Sequence, residues 1–333
     1  MKPIIEVVAQ LKTPKKIAIT CHYRPDGDAI GSILGLYHYL CLKGHEVMPI
    51  TPNEVPDFLS FLPGFESLVN FEALPSKATE FIQAADYIFC LDYNNLSRVH
   101  SLTPVLEAAT QELILIDHHL QPSEVFAYGI SDSSKSSTCE MVYDFIDAAG
   151  DAALVNVQIA TCIYTGMLTD TGSFRFPSTS ARVHEIIMHL KNKGLQHHLV
   201  HEAVYDNWTL NRLQFMGFVL SQKMQVFPEL HSGIIALSSE EMERFQLQNG
   251  DTEGLVNYPL SIQGIKFAAL ITEKEKEIRL SLRSKGNVDV NTLARTHFSG
   301  GGHFNAAGGK SNLTLTETIT KLKEILNDLH ELK

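Results

Sequence analysis

Residues 16–32, KIAITCHYRPDGDAIGS, carry an apolar run straight into a polar turn and then into a helix. Lys16–Cys21 reads as a strand, and Asp28–Leu42 places Ile30, Ile33, Leu34, Tyr37 and Leu40 at near-helical spacing. His22, Asp26 and Asp28 therefore stand where a strand stops and a helix begins. In an open α/β sheet that carboxyl edge is where ligands bind. Taken alone, the turn also reads as a tight bend with an Asp N-cap. Three more runs repeat the pattern: Glu46–Thr51, Asp86–Asp92 and Glu112–Asp117. Continuous apolar strands separated by helices predict a parallel sheet covered by helices on both faces.

The ends of the other strands are as informative as the first. One ends in Asp92, and another ends in Asp117-His118-His119. A further acid, Asp170, follows an apolar helical run in LTDTGSFRF (168–176). Acidic and imidazole stations gathered at one sheet edge are costly to bury unless cations compensate them. Imidazole plus carboxylate without thiolate suits Mn²⁺, with Mg²⁺, Fe²⁺ and Co²⁺ as competitors. The number of candidate ligands is too large for one ion and right for two. Two ions about 3.5–4 Å apart can bind the attacking and leaving oxygens of a phosphoryl displacement. A water activated there needs no Ser or Cys nucleophile, and no GxSxG pattern is present.

Composition bounds the rest. The chain has 333 residues, 27 Lys+Arg against 38 Asp+Glu, and a net charge of −11. Its length predicts two domains, and 44% hydrophobic with 20% charged residues excludes a disordered or collagen-like chain. No apolar stretch approaches the ~18–20 residues of a membrane span, and no signal peptide is expected at the N-terminus. Five cysteines (Cys21, Cys41, Cys90, Cys139 and Cys162) without a CxxC pair predict free thiols in a reducing cytoplasm. Residues 1–190 hold 11 basic and 22 acidic side chains, whereas 191–333 hold 16 of each. Neither half suits long duplex nucleic acid, whose affinity comes from many Lys/Arg–phosphate contacts.

After the strand-rich first part, helices are expected at Thr138–Ala149, Ala152–Leu168 and Ser180–Lys193. Ser131–Ser137 is read as a polar loop capping the first of these. A helical segment is expected at Thr209–Met224. His197, His198 and His201 read as a solvated helix start, since no carboxylates neighbour them. Strands are expected at Ser232–Leu237, Ile265–Thr272 and Glu277–Ser284, with a hairpin turn at EKEKE (273–277). A glycine cluster and a closing helix after Thr314 follow. The domain expectation is 1–190, a helical linker at 191–225, and 226–333.

HYRPDGDAIGS, the Asp92 station, LIDHH and TDTGSFRF, in this order, resemble the four motifs of the DHH phosphoesterase superfamily. Gly300-Gly301-Gly302-His303-Phe-Asn305-Ala-Ala-Gly-Gly resembles the signature of its associated substrate-binding domain, and length and motif order are most similar to the nanoRNase/pAp-phosphatase group. The resemblance implies an α/β fold: an N-terminal parallel-sheet DHH domain, a helical linker and a smaller C-terminal α/β domain, with the active site between the domains. It implies that His22, Asp26 and Asp92 hold one metal, that Asp28, Asp92, His118 and Asp170 hold the other, and that Asp92 bridges them. Asp117 is expected to orient an imidazole or support the turn rather than to ligate. His119 is expected to face the substrate and help position or protonate the leaving oxygen.

Three glycines let the backbone approach a ligand and present N–H groups to an anion. Gly300, Gly301, Gly302, His303 and Asn305 are accordingly expected to bind substrate. Arg283 is expected to take a terminal phosphate through its guanidinium, with Arg24, Arg98 and Arg175 as further phosphate contacts. The implied protein is a cytoplasmic phosphoesterase using two Mn²⁺, with Co²⁺ or Mg²⁺ as substitutes. It would hydrolyse very short oligoribonucleotides to mononucleotides and 3′-phosphoadenosine 5′-phosphate (pAp) to AMP. It would bind no membrane, and a homodimer is the candidate assembly. The alternatives are a cyclic or linear dinucleotide phosphodiesterase and, more remotely, a non-catalytic nucleotide sensor, which predicts a broken metal station where none is broken. Pyrophosphatase and long-strand exonuclease readings fit the glycine cluster and the missing basic track less well.

Overall fold

The structure, a computed structural model, describes residues 1–247, 250–274 and 277–329. The chain divides into two compact units, Met1–Asn207 and Trp208–Lys333.

The first unit is built on seven strands: β1 (Lys2–Pro3), β2 (Lys16–Thr20), β3 (Glu46–Thr51), β4 (Val69–Asn70), β5 (Tyr87–Leu91), β6 (Glu112–Asp117) and β7 (Tyr128–Ser131). All pair in parallel, in the order β1-β7-β6-β5-β2-β3-β4. Its helices are α1 (Ile5–Gln10), α2 (Gly27–Leu42), α3 (Pro75–Ala84), α4 (Thr103–Glu107), α5 (Thr138–Ala148), α6 (Val157–Asp170), α7 (Ala181–Asn192) and α8 (His197–Tyr205). Strand side chains alternate between two cores, as the pleat requires. Ile17, Ile19, Phe89, Leu91, Ile114 and Ile116 pack with α2, α5 and α6 on one face. Ala18, Ile88, Cys90 and Leu115 pack with α3 and α4 on the other.

Helix α2 is held in place chiefly by burial. Ile30, Ile33, Leu34 and Leu36 are fully buried, each contributing about 1.5–3 kcal/mol relative to exposure. Helix α2 also crosses α6 closely, and two glycines make that approach possible. A Cβ at Gly31 would lie 2.5 Å from the Cys162 carbonyl oxygen, and one at Gly166 would lie 2.6 Å from Asp28 Oδ1. The expected helix Ala152–Leu168 instead begins at Val157, because Asn156 caps it by accepting from the Ile159 N–H (3.0 Å). It runs on to Asp170, which is thus its last residue.

The second unit contains β8 (Met224–Phe227), β9 (Ser232–Leu237), β10 (Phe267–Lys274), β11 (Glu277–Ser284), β12 (Gly301–His303) and β13 (Ala306–Ser311). They form one mixed sheet in the order β12-β13-β11-β10-β9-β8, in which only β9 and β10 are parallel. Its helices are α9 (Leu210–Phe218), α10 (Ser239–Arg244), α11 (Val290–His297) and α12 (Leu315–Asp328). Lys274 pairs with Glu277, while residues 275–276 of the expected EKEKE turn lie outside the described residues. The stretch 191–225, read as a connector, is divided between the units by its apolar contacts. Val200 joins the first unit's core, whereas Phe215 and Val219 join a core of the second. No helix among the described residues is long and apolar enough to cross a membrane.

Candidate active site

Strands β6, β5 and β2 are neighbours, so the residues that follow them meet at one carboxyl edge. The chain leaves β2 toward β3 on one side and returns to β5 on the other, which makes the β2/β5 boundary the topological switch point. His22 follows β2, Asp92 follows β5, and Asp117-His118-His119 close β6. Asp26 and Asp28 stand at the start of α2, and Asp170 ends α6.

His22 Nε2 lies 3.4 Å from Asp92 Oδ2 and 3.9 Å from Asp26 Oδ1. His118 Nε2 lies 3.3 Å from Asp170 Oδ2, 3.6 Å from Asp92 Oδ1 and 4.0 Å from Asp28 Oδ2. Three groups arise whose ligand atoms lie within 4.8 Å of one another: His22/Asp26/Asp92, Asp28/His118/Asp170 and Asp92/His118/His119. Asp92 thus faces both imidazole clusters. Its backbone is left-handed, with φ 63°. Such a conformation is strained for a residue other than glycine and persists where the surroundings over-determine it.

Hydrogen bonds hold these candidate ligands in place. His22 Nδ1 donates to the Tyr23 carbonyl (2.9 Å) and His118 Nδ1 points at the Lys135 carbonyl (3.4 Å). Each Nε2 faces the carboxylates and is the ring atom that would bind a metal once deprotonated, the arrangement common to metal-binding imidazoles. Asp26 Oδ1 caps α2 by accepting from the Asp28 and Ala29 N–H groups. Both oxygens of Asp28 are clamped by the first turn of α5, Oδ2 by Thr138 N–H (2.6 Å) and Oδ1 by Cys139 N–H (2.9 Å). Thr138 Oγ1 also donates to Asp92 Oδ1 at 3.1 Å. His119 Nδ1 donates to Asp117 Oδ1 at 2.7 Å, while buried Asp117 Oδ2 has no hydrogen-bond partner among the described residues.

Charge within this cluster is unresolved by protein cations. Among the described residues, Asp26, Asp28, Asp92, Asp117 and Asp170 pair only with histidines, never with Lys or Arg. Burial, then the Asp92 charge, pushes the Asp28 carboxyl up to about 7. Burial and the charges of Asp28, Asp26 and Asp92 push Asp170 well up. Burial opposes ionisation of Asp92 too, but hydrogen bonding to His22 and the charges of His22, His118 and His119 hold it low. Burial works against protonated His22, yet Asp26 and Asp92 raise it to about 10. The donor set fits divalent metal, because these oxygen and imidazole groups lie close together without Lys or Arg counter-ions among the described residues, and a cation would compensate their charge.

The remaining expected residues are distributed as follows. Arg24 is exposed and Arg98 half-buried near the His22 turn, and exposed Arg175 donates Nε–H to the Gly172 carbonyl (2.7 Å). In the second unit, half-buried Arg283 on β11 sits opposite Ala306 of β13 and donates Nη1–H to the Leu282 carbonyl (3.0 Å). Burial pushes its guanidinium down, and it has no carboxylate partner among the described residues. Gly301, Gly302 and exposed His303 form β12. A Cβ at Gly300 would lie 2.0 Å from the Gly308 carbonyl oxygen, so the glycine there serves hairpin packing. The Gly302 N–H is taken by Asn291 Oδ1 (2.9 Å), and the Asn305 amide donates to Ser284 Oγ (2.9 Å). His197 and His201 face Lys191 and Tyr164 rather than a carboxylate cluster.

Sequence reasoning missed the α5 amides that clamp Asp28 and the Lys135 carbonyl behind His118. The signal available was the run Ser136-Ser137-Thr138-Cys139-Glu140, a helix start in which Ser137 Oγ accepts from Glu140 N–H (3.1 Å).

Residues 16–167 match the model of the DHH family N-terminal domain, and residues 232–332 match that of the DHHA1 domain. A bifunctional oligoribonuclease and PAP phosphatase NrnA from Thermus thermophilus is 32% identical, over 98% of this chain and 94% of that protein. The crystal structure of an exopolyphosphatase-related protein from Bacteroides fragilis superimposes with a TM-score of 0.93 at 38% identity, covering 97% of this chain and 95% of that one. A cyclic-di-AMP phosphodiesterase PdeA from Listeria monocytogenes is more distant, 23% identical over 92% of this chain and 46% of its own length. With its DHH and DHHA1 domains and its near full-length likeness to the Thermus thermophilus protein, the chain belongs to the DHH family.

Proposed function

We propose that this protein is a two-Mn²⁺ phosphoesterase that degrades very short oligoribonucleotides to mononucleotides and dephosphorylates pAp to AMP. The observation that carries the proposal is Asp92, shared between two His/carboxylate groups at the switch point. Likeness to a protein named for both activities supports the substrates. His22, Asp26 and Asp92 would hold one ion, and Asp28, Asp92, His118 and Asp170 the other. Bound divalent ions supply an acidified water and neutralise charge on the phosphoryl oxygens.

The chain's own residues do the rest. Clamping by α5 removes the torsional freedom of Asp28, and the Tyr23 carbonyl fixes the His22 tautomer. His119, held through Nδ1 by Asp117, keeps Nε2 to exchange a proton with the leaving oxygen. Imidazole at His22 and His118 favours Mn²⁺ or Co²⁺ over Mg²⁺. Arg283, His303 and Asn305 would contact nucleotide, and the Arg283 guanidinium, which has no carboxylate partner among the described residues, suits a phosphate. The five free cysteines suit a reducing cytoplasm.

The test is a substrate panel under Mn²⁺: pApA, a 5-mer, a 24-mer, pAp, cyclic di-AMP and pyrophosphate. Turnover per end is expected to be highest on pApA and to fall beyond about five nucleotides, since residues 191–333 offer no net positive track. Equal or rising turnover up to the 24-mer, or activity confined to pyrophosphate or the cyclic dinucleotide, overturns the proposal.

A further inference from the structure

The loop that carries His22 continues into a feature that the metal cluster does not use. The Tyr23 and His100 rings stack with centroids 4.1 Å apart and planes 23° from parallel. The Arg24 guanidinium lies 5.6 Å from the Tyr23 ring centroid, so Tyr23 has an imidazole and a guanidinium as neighbours. Three hydrogen bonds pin the arrangement. Tyr23 N–H donates to the Arg98 carbonyl (2.7 Å), Arg24 N–H donates to Asn53 Oδ1 (2.6 Å), and the Tyr23 carbonyl accepts from His22 Nδ1 (2.9 Å). The stack is thus one residue away from a candidate metal-binding imidazole.

Two residues of this ledge adopt left-handed backbone, Arg24 with φ 56° and His100 with φ 48° and ψ −110°. Such backbone is strained for residues other than glycine and is retained where surrounding contacts enforce it, commonly at functional sites. His100 and Arg24 are exposed, and neither Arg24 nor Arg98 has a carboxylate partner among the described residues. Residues 1–190 carry twice as many acidic as basic side chains. Two arginines left unpaired in such surroundings, beside a metal-ligand turn, are disposed to take an anion.

We propose that Tyr23, Arg24, Arg98 and His100 form a nucleotide ledge, on which the base beside the cleaved phosphate stacks against His100 while the arginines hold phosphate. The proposal rests on the phosphoesterase reading above and adds the groups that recognise the nucleoside. A ring face and guanidinium groups contact any base, so the ledge selects for the presence of a base and not for its identity. A ring pair that merely braced the loop would be indifferent to the base, and the test separates these roles.

Base stacking of about 1–3 kcal/mol corresponds to about 5- to 150-fold in KM. Steady-state kinetics of the Mn²⁺-loaded full chain would compare pApA with two abasic analogues, in which tetrahydrofuran replaces the nucleoside on one or the other side of the cleaved phosphate. Wild type is expected to disfavour one analogue by that factor. His100→Ala is expected to reduce the discrimination below about two-fold, and His100→Phe to restore it, since a ring suffices. Arg24→Ala is expected to raise KM for all three substrates. Discrimination that survives His100→Ala, or wild type that does not discriminate at all, overturns the ledge.

Calorimetric titration with a non-cleavable methylphosphonate dinucleotide and its abasic counterpart gives a readout independent of turnover. No turnover with His100-dependent binding overturns the phosphoesterase reading and keeps the ledge. Turnover with His100-independent discrimination overturns the ledge alone. Neither turnover nor His100-dependent binding overturns both.

Discussion

Asp117→Asn tests whether the buried acid of the DHH triplet orients His119 or binds metal itself. Asp117 is fully buried, with Oδ1 2.7 Å from His119 Nδ1 and Oδ2 without a partner among the described residues. Asparagine can sit there in two ways. With its oxygen toward His119, its NH₂ takes the place of Oδ2 as a buried donor with nothing to donate to, a cost of about 1–3 kcal/mol. With its NH₂ toward His119, the unpartnered oxygen stays where one is already tolerated, but the ring must then carry its proton on Nε2. The second arrangement should prevail by about 5- to 150-fold. The productive tautomer becomes a minor species. We expect kcat to fall about 10²-fold, within the range seen when a positioned acid–base group is compromised. KM and Mn²⁺ affinity should stay within about two-fold of wild type, because the residue is not assigned as a ligand. The assay is pApA turnover at saturating Mn²⁺, paired with Mn²⁺ titration calorimetry and ¹⁵N-histidine spectra of the diamagnetic form to read the tautomer. An Asn variant that binds one ion fewer, or keeps more than a third of wild-type turnover, would refute the reasoning.

Asp92→Ala should lower turnover by about 10³-fold or more, beyond the effect of Asp26→Ala, because Asp92 serves both groups; retention of a tenth of wild-type turnover argues against a shared ligand. Chelator-treated protein should regain activity with Mn²⁺ or Co²⁺ and poorly with Mg²⁺, and equal recovery with Mg²⁺ contradicts the imidazole argument. Gly166→Ala puts a Cβ 2.6 Å from Asp28 Oδ1 and 2.2 Å from Cys139 Sγ. It should cost about 1–3 kcal/mol of stability, seen in thermal melts, and at least ~10-fold in Mn²⁺ affinity. Arg283→Ala should raise KM for pApA more than it lowers kcat, since it removes binding and leaves the metal ligands intact.

The candidate ligands were legible because each one stands at an end of an apolar strand or helix, so periodicity and chemistry mark the same positions. Asp92 after Tyr87–Leu91 and the Asp-His-His after Leu113–Ile116 are the plainest cases. The short pieces were not legible. Lys2–Pro3, Val69–Asn70 and Tyr128–Ser131 are too brief to show a period, and they become strands only through their partners. Ala306–Ser311 is rich in Ala and Gly, with little intrinsic strand preference, and pairs because β11 offers it an edge. The division of 191–225 depends on which core each apolar face meets, and an amphipathic pattern does not name its partner. Backbone groups such as the Thr138 and Cys139 amides were invisible for a simpler reason: every residue has one.

The clamp on Asp28 bears on which ions the site will accept. A carboxylate with free oxygens can rotate, switch from one-oxygen to two-oxygen coordination, and follow an ion of larger radius. Asp28 has both oxygens tethered to one helix turn, so it presents a fixed reach to whatever binds. Exposed Asp26, of which only Oδ1 accepts from backbone amides, has more latitude. Ions forming bonds of about 2.0–2.2 Å can settle against an immobile oxygen and a ring nitrogen together. Calcium, with oxygen bonds of about 2.3–2.6 Å and a taste for more ligands, would have to pull Asp28 off the helix. On the two-ion reading, selection by size would therefore be set by a backbone turn of α5, through two amides that carry no side-chain chemistry of their own.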